Sequence, residues 1–144
     1  MFPSGLWYNE LGSMMQLNVS GSNVWGWYYS AVGNAKATYP LSGQINTQPY
    51  PFSQVLGWAV AWTNAYANAH SATAWSGQYQ TVDNQDEIVA FWLLTNETDE
   101  TKVPDDWNAT LVGKDVFTRN MPAPAEIDKA RRRTAQSHPS EANP

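Results

Sequence analysis

The sequence predicts an all-β fold, an eight-stranded antiparallel up-and-down β-barrel over residues 1–120. A C-terminal extension, 121–144, is predicted as a short marginal helix followed by a disordered tail. Two observations predict the barrel. Eight short stretches rich in β-branched and aromatic residues alternate with turn signals at roughly 8–12-residue spacing, the pattern of a sandwich or barrel. Consecutive strands joined by short turns pair with one another, which favours the up-and-down barrel. A third observation ends it: Met121-Pro-Ala-Pro124 breaks the strand pattern.

In order, Leu6–Asn9 is the first strand, turned by Glu10-Leu-Gly-Ser13. Met14–Ser20 is the second, with Gly21-Ser-Asn23 as its turn, and Val24–Ser30, rich in aromatics, is the third. A loop from Ser30 to Ala35 leads to the fourth, Tyr39–Asn46. Gln48–Ser53 holds two prolines and must be a loop, because proline cannot donate to a central ladder. Gln54–Trp62 and His70–Tyr79 are the fifth and sixth strands, joined through a stretch that supplies two Asn. Asp86–Thr95 is the seventh, an acidic loop runs from Asn96 to Asp106, and Trp107–Thr118 is the eighth. Ala125–Gln136 carries Glu126 and Asp128 early and Arg131 to Arg133 late, the order a helix dipole favours. Its apolar stripe of Ile127, Ala130 and Ala135 is thin, and the three arginines read as a solvated helix end. His138–Pro144 reads as disordered.

Strand parity separates an inside from an outside, because alternate side chains point to opposite faces. Leu56, Trp58, Val60 and Trp62 form the bulky, inward set of the fifth strand. The same reasoning puts Ser71, Thr73 and Trp75 inside on the sixth, and Ile88, Ala90, Trp92 and Leu94 on the seventh. Leu111, Asp115 and Phe117 point inward on the eighth, and Val24, Tyr28 and Ser30 on the third. The inner face therefore carries Tyr28, Ser30, Ser71, Thr73 and Asp115. Burying such groups is costly unless each is paired or meets a ligand. Asp115 has no basic neighbour on the adjoining strands and calls for N–H donors. Outward, Trp25, Trp27 and Tyr29, then Val89, Phe91 and Leu93, then Val112 and Val116 leave a large apolar surface, which points to self-association.

Composition excludes several classes. The net charge is −5, and the only basic run is Arg131-Arg132-Arg133, so nucleic acid is not an expected partner. Without Cys there is no disulfide and no thiol nucleophile. No apolar run approaches the ~18–20 residues of a membrane-spanning helix, and no membrane partner is expected. No signal peptide precedes the first strand. Met1 is compatible with a native start and an intracellular protein, or with a leader removed from a secreted one, and the compartment stays open.

Six segments then resemble the avidin family, and are closer to streptavidin than to egg-white avidin. They are G-L-W-Y-N-E-L-G-S at Gly5–Ser13, S-A-V-G-N-A at Ser30–Ala35, G-W-A-V-A-W at Gly57–Trp62, N-A-H-S-A-T-A-W-S-G-Q-Y at Asn68–Tyr79, W-L-L-T at Trp92–Thr95 and T-L-V-G-K-D-V-F-T at Thr110–Thr118. The tail is similar to that of fungal relatives with a C-terminal extension. The resemblance implies non-catalytic, high-affinity binding and sequestration of biotin inside the barrel, with no cofactor. It assigns the ureido oxygen to Asn9, Ser13 and Tyr28, and the ureido N–H groups to Ser30 and Asp115. Asn34 and Ser71 would hold the carboxylate, and Thr73 would meet the sulfur. Trp62, Trp75 and Trp92 would wall the slot, and Trp107 would reach a neighbouring subunit's pocket. A homotetramer is implied. Lys114, which would meet its own mate across a two-fold, makes a dimer the alternative.

Two other classes compete with biotin binding. A lectin would set its tryptophans on an outer face, and Trp25 and Trp27 keep that reading open. For an enzyme, Asp115 is the one carboxylate that parity puts inside, so the paired acids of a glycosidase are missing. His70 and Ser71 are adjacent on a strand and face opposite ways, and two His without Cys make a metal site improbable.

Overall fold

The computed structural model describes residues 3–31, 37–48, 53–63, 70–97 and 109–134. Eight strands close a barrel in chain order: β1 (Gly5–Tyr8), β2 (Met14–Ser20), β3 (Asn23–Tyr29), β4 (Thr38–Ile45), β5 (Ser53–Ala61), β6 (Ser71–Val82), β7 (Gln85–Asn96) and β8 (Thr110–Thr118). Every pairing is antiparallel, and Tyr8 opposite Thr118 joins β1 to β8. Closure leaves no open edge for another chain to extend.

The longest hairpin departs from the sequence expectation. β6 runs on past Tyr79 to Val82, and the chain reverses on Asp83 and Asn84 alone, with φ of 51° and 62°. Two left-handed residues make the primed turn whose twist matches the flanking strands, and Asp and Asn tolerate that region better than most. The extension was hidden because Gln80 and Thr81 look like loop residues. They are instead cross-strand partners: Gln80 Nε2 donates to Glu87 Oε1 at 2.6 Å, and Thr81 Oγ1 donates to Asp86 Oδ1 at 2.9 Å. At the other end the described part of β8 starts at Thr110, and Trp107, where the sequence places its start, lies outside the described residues.

The interior is organised in rows of cross-strand partners. One row crosses β4 to β8 as Gly43–Trp58–Trp75–Trp92–Gly113. Three buried indoles stand side by side, with a glycine at either end. A Cβ on Gly43 would lie 1.9 Å from the Gly57 carbonyl oxygen, so only glycine lets β4 come this close to β5. A second row crosses β1 to β4 as Trp7–Met15–Tyr28–Tyr39, all buried. Each indole buries roughly 150–250 Å², about 4–6 kcal/mol of transfer free energy as an upper estimate.

The outer face follows the expected parity. Trp25, Trp27 and Tyr29 on β3 are exposed, as are Phe91, Leu93 and Val112 on β7 and β8. Lys114 sits opposite Phe91, its Nζ 5.9 Å from the ring centroid, so the ammonium is held over an aromatic face.

Helix α1 (Pro124–Thr134) begins on a proline, which fits the first helical position because no N–H is needed there. The helix docks on the turn between β1 and β2. Leu11 and Ala130 are buried together with Ala31 packed against them. Ile127 Cδ1 lies 2.9 Å from where a Gly12 Cβ would stand. Gly12, at φ +82°, is thus both left-handed and covered. Residues 135–144, including the expected disordered tail, lie outside the described residues.

Candidate functional site

The turn after β1 builds the polar end of the barrel. Asn9 Oδ1 accepts the backbone N–H of Leu11 at 3.0 Å and of Ser13 at 2.9 Å, an Asx arrangement that fixes the side chain. With the oxygen so committed, Nδ2 faces inward, 3.5 Å from the Tyr28 hydroxyl. Ser13 Oγ accepts from the Ala31 N–H at 3.0 Å, which leaves its own proton to donate, and it also hydrogen-bonds Tyr28. Asn9, Ser13 and Tyr28 are all at most 2% exposed. Three donors therefore converge at one buried point, each held by the backbone or by its neighbour. Burial, then the negative charge of Asp115, pushes the Tyr28 phenol well above the usual tyrosine pKa, so it stays a neutral donor.

Asp115, wholly buried on β8, accepts the Trp75 indole N–H at 3.0 Å through Oδ2. Ser30, at the end of β3, is also wholly buried. Beyond these the site is aromatic. Trp75 lies 5.1 Å from the Tyr28 ring and stacks on Trp58 at 5.6 Å with an 11° interplanar angle. Trp62 stands edge-on to both Tyr28 and Tyr39. Its indole N–H donates to Thr73 Oγ1 at 2.8 Å, which fixes the ring and satisfies the hydroxyl together. At the far rim, the Ser71 backbone oxygen accepts from Trp62 N–H, while Ser71 Oγ is a buried atom without a hydrogen bond. The indole nitrogen of Trp92 is likewise buried and without an acceptor.

Ten of the twelve residues expected from the sequence are thus placed inside or at the rim of one barrel: Asn9, Ser13, Tyr28, Ser30, Trp62, Ser71, Thr73, Trp75, Trp92 and Asp115. Asn34 and Trp107 lie outside the described residues. The sequence reading did not single out Trp58, Tyr39 and Phe117, which pack on the same rings. Trp58 had a signal available, since it shares parity with Trp62. His70 is exposed, its Nδ1 3.6 Å from Glu97 Oε2. Among the described residues no group of three or more His, Asp or Glu could hold a metal ion, and no helix is long and apolar enough to cross a membrane.

The site has a polar end and an indole-lined body on an eight-stranded closed barrel, and among the described residues it holds no acid–base pair. A family model described as the avidin family matches residues 1–120. The chain belongs to the avidin family. It is 33% identical to avidin of Gallus gallus over 81% of this chain and 76% of the relative. It is 29% identical to hoefavidin of Hoeflea phototrophica over 83% and 73%, and 34% identical to afifavidin of Afifella pfennigii over 63% and 56%. Avidin-family proteins are binding proteins and not enzymes.

Proposed function

We propose that this avidin-family barrel binds biotin with high affinity and sequesters it. The observation that carries the reading is the convergence of Asn9, Ser13 and Tyr28, three buried donors locked before any ligand arrives. They suit a ureido oxygen as an oxyanion hole suits a developing charge. On this reading Ser30 and Asp115 take the two ureido N–H groups, and the carboxylate of Asp115 polarises the ring so that its oxygen becomes a better acceptor. Thr73 meets the thioether sulfur, and Trp62, Trp75 and Trp92 wall the apolar ring and chain. Ser71, whose hydroxyl has no protein partner, holds the valerate carboxylate with Asn34. A barrel of eight strands suits one small ligand, streptavidin being a known case. Because the groups sit on strands, little ordering entropy is spent on binding.

The same reading makes the protein a homo-oligomer, a tetramer with a dimer as the alternative. The exposed Phe91, Leu93 and Val112 on β7 and β8 support association through that face, and Trp107 would cap a neighbour's pocket. The residues from 121 onward are read as an extension outside the binding domain of 1–120.

The test is retention on immobilised biotin, together with quenching of tryptophan emission and a raised melting temperature on adding free biotin. Ligand at about 100 times its Kd stabilises by about 2.7 kcal/mol. Unchanged emission and melting in excess biotin would end the proposal.

A further inference from the structure

The exposed aromatic row on β3 has no role in the barrel interior. Trp25, Trp27 and Tyr29 are 47%, 53% and 42% exposed. They alternate along one strand, so they lie in line over roughly 13–14 Å. Their cross-strand neighbours are uncharged and mostly polar. Trp25 lies between Asn18 and Ser42, Trp27 between Gln16 and Pro40, and Tyr29 between Met14 and Thr38. No charged residue occurs anywhere in β2, β3, β4, β5 or β6.

We propose that this face is a second binding site, for a neutral, extended polysaccharide chain. The faces of pyranose rings carry weakly positive C–H groups, which meet the negative faces of indole and phenol rings. The hydroxyls around each sugar match the amides of Gln16 and Asn18 and the hydroxyls of Ser42 and Thr38. Three aromatic side chains in line suit a chain of sugars better than a single one.

Charge and polar pairing argue against other occupants. A nucleic acid needs Lys or Arg for its phosphates, and an anionic membrane surface needs the same. A charged peptide finds no counter-charge on these five strands. A second copy would have to pair or desolvate the exposed amide and hydroxyls of Gln16, Ser42 and Thr38 that flank the rings, whereas sugar hydroxyls bond them directly. The patch on β7 and β8 differs in kind. Leu93 and Val112 are exposed there as a directly paired apolar couple beside Phe91, and Lys114 lies over Phe91, as suits a protein contact.

The experiment uses the full chain, incubated with microcrystalline cellulose and with chitin beads and titrated with their soluble hexasaccharides, with and without saturating biotin. Retention on at least one glycan, unaffected by biotin, is expected. Trp25→Ser with Trp27→Ser should weaken it by about tenfold or more, the scale of a lost aromatic anchor, while circular dichroism and solution mass stay as in the parent. Phe91→Ser, on the other patch, should leave glycan retention unchanged. If the double variant does not fold, Trp27→Tyr with Gln16→Ala tests the same point and should weaken retention several-fold. No retention of the parent protein on either glycan overturns the proposal. So does equal retention of a folded variant, or a fall in solution mass in the double variant, which would make the face a contact between copies.

Discussion

The Trp75 indole donates to Asp115 across a strand that belongs to neither residue. Trp75 is on β6 and Asp115 on β8, and the 3.0 Å hydrogen bond spans β7. It can do so because Asp115 is paired with Ala90, whose small side chain leaves the interior open at that point. The bond ties the aromatic wall to the polar end and gives a buried carboxylate one of the donors it needs.

Asp115→Asn keeps the shape of this group and removes its charge. Losing charge-assisted hydrogen bonds costs about 1.5–3 kcal/mol, so biotin should dissociate roughly 10- to 100-fold more readily. Competition against labelled biotin measures this. An unchanged affinity would exclude Asp115 from the contact.

Ser71→Ala should act with opposite signs on fold and ligand. The Ser71 hydroxyl is buried without a hydrogen bond in the free protein, so its removal relieves a desolvation cost of about 1–3 kcal/mol and the ligand-free melting temperature should hold or rise. Biotin release should still quicken, by about five- to tenfold for one lost hydrogen bond. A lower melting temperature with unchanged release would reverse the role given to Ser71.

Tyr28 sets an alkaline limit. Its folded pKa is raised, by burial first and by Asp115 second, whereas the unfolded chain ionises near the ordinary tyrosine value. Below about pH 10 both states keep the proton and Tyr28 contributes no pH dependence. Above it the unfolded chain loses its proton first, so stability falls as pH rises toward the folded pKa. Denaturant titrations from pH 8 to about 11.5 should show that decline, and Tyr28→Phe should flatten part of it.

Helix α1 should matter to ligand release although none of its residues is among the assigned contacts. Ile127 and Ala130 cover Leu11 and Gly12, within the turn that Asn9 and Ser13 bracket. Ile127→Asp with Ala130→Asp should cost about 1–3 kcal/mol and raise the biotin off-rate, because the Asx turn is no longer held down. Stopped-flow release and thermal melting read the two effects separately, and an off-rate equal to the parent's would make the helix a bystander.

Association is read from mass. Analytical ultracentrifugation should report an oligomer, and Phe91→Glu with Val112→Glu should reduce it by placing like charges on the exposed β7–β8 face. Trp107→Ala should hasten biotin release if that ring closes a neighbour's pocket.

The sequence by itself determined the strands, their parity and therefore which side chains enter the barrel. A period of two leaves only two choices per strand, and bulky residues such as Trp58 and Trp62 decide between them. It also determined that Asp115 needed N–H donors, since no cation stood on the neighbouring strands. Strand ends were less legible: Gln80 and Thr81 are polar and read as loop until their partners Glu87 and Asp86 are known. What only the tertiary structure decided are relations between strands distant in the chain. The row of three indoles between Gly43 and Gly113, the donation from Trp75 to Asp115 past Ala90, and the seating of Ile127 on Gly12 all depend on register and closure. Those are fixed by the packing of the whole barrel, because a local pattern sets which way a side chain points but not which distant side chain it meets.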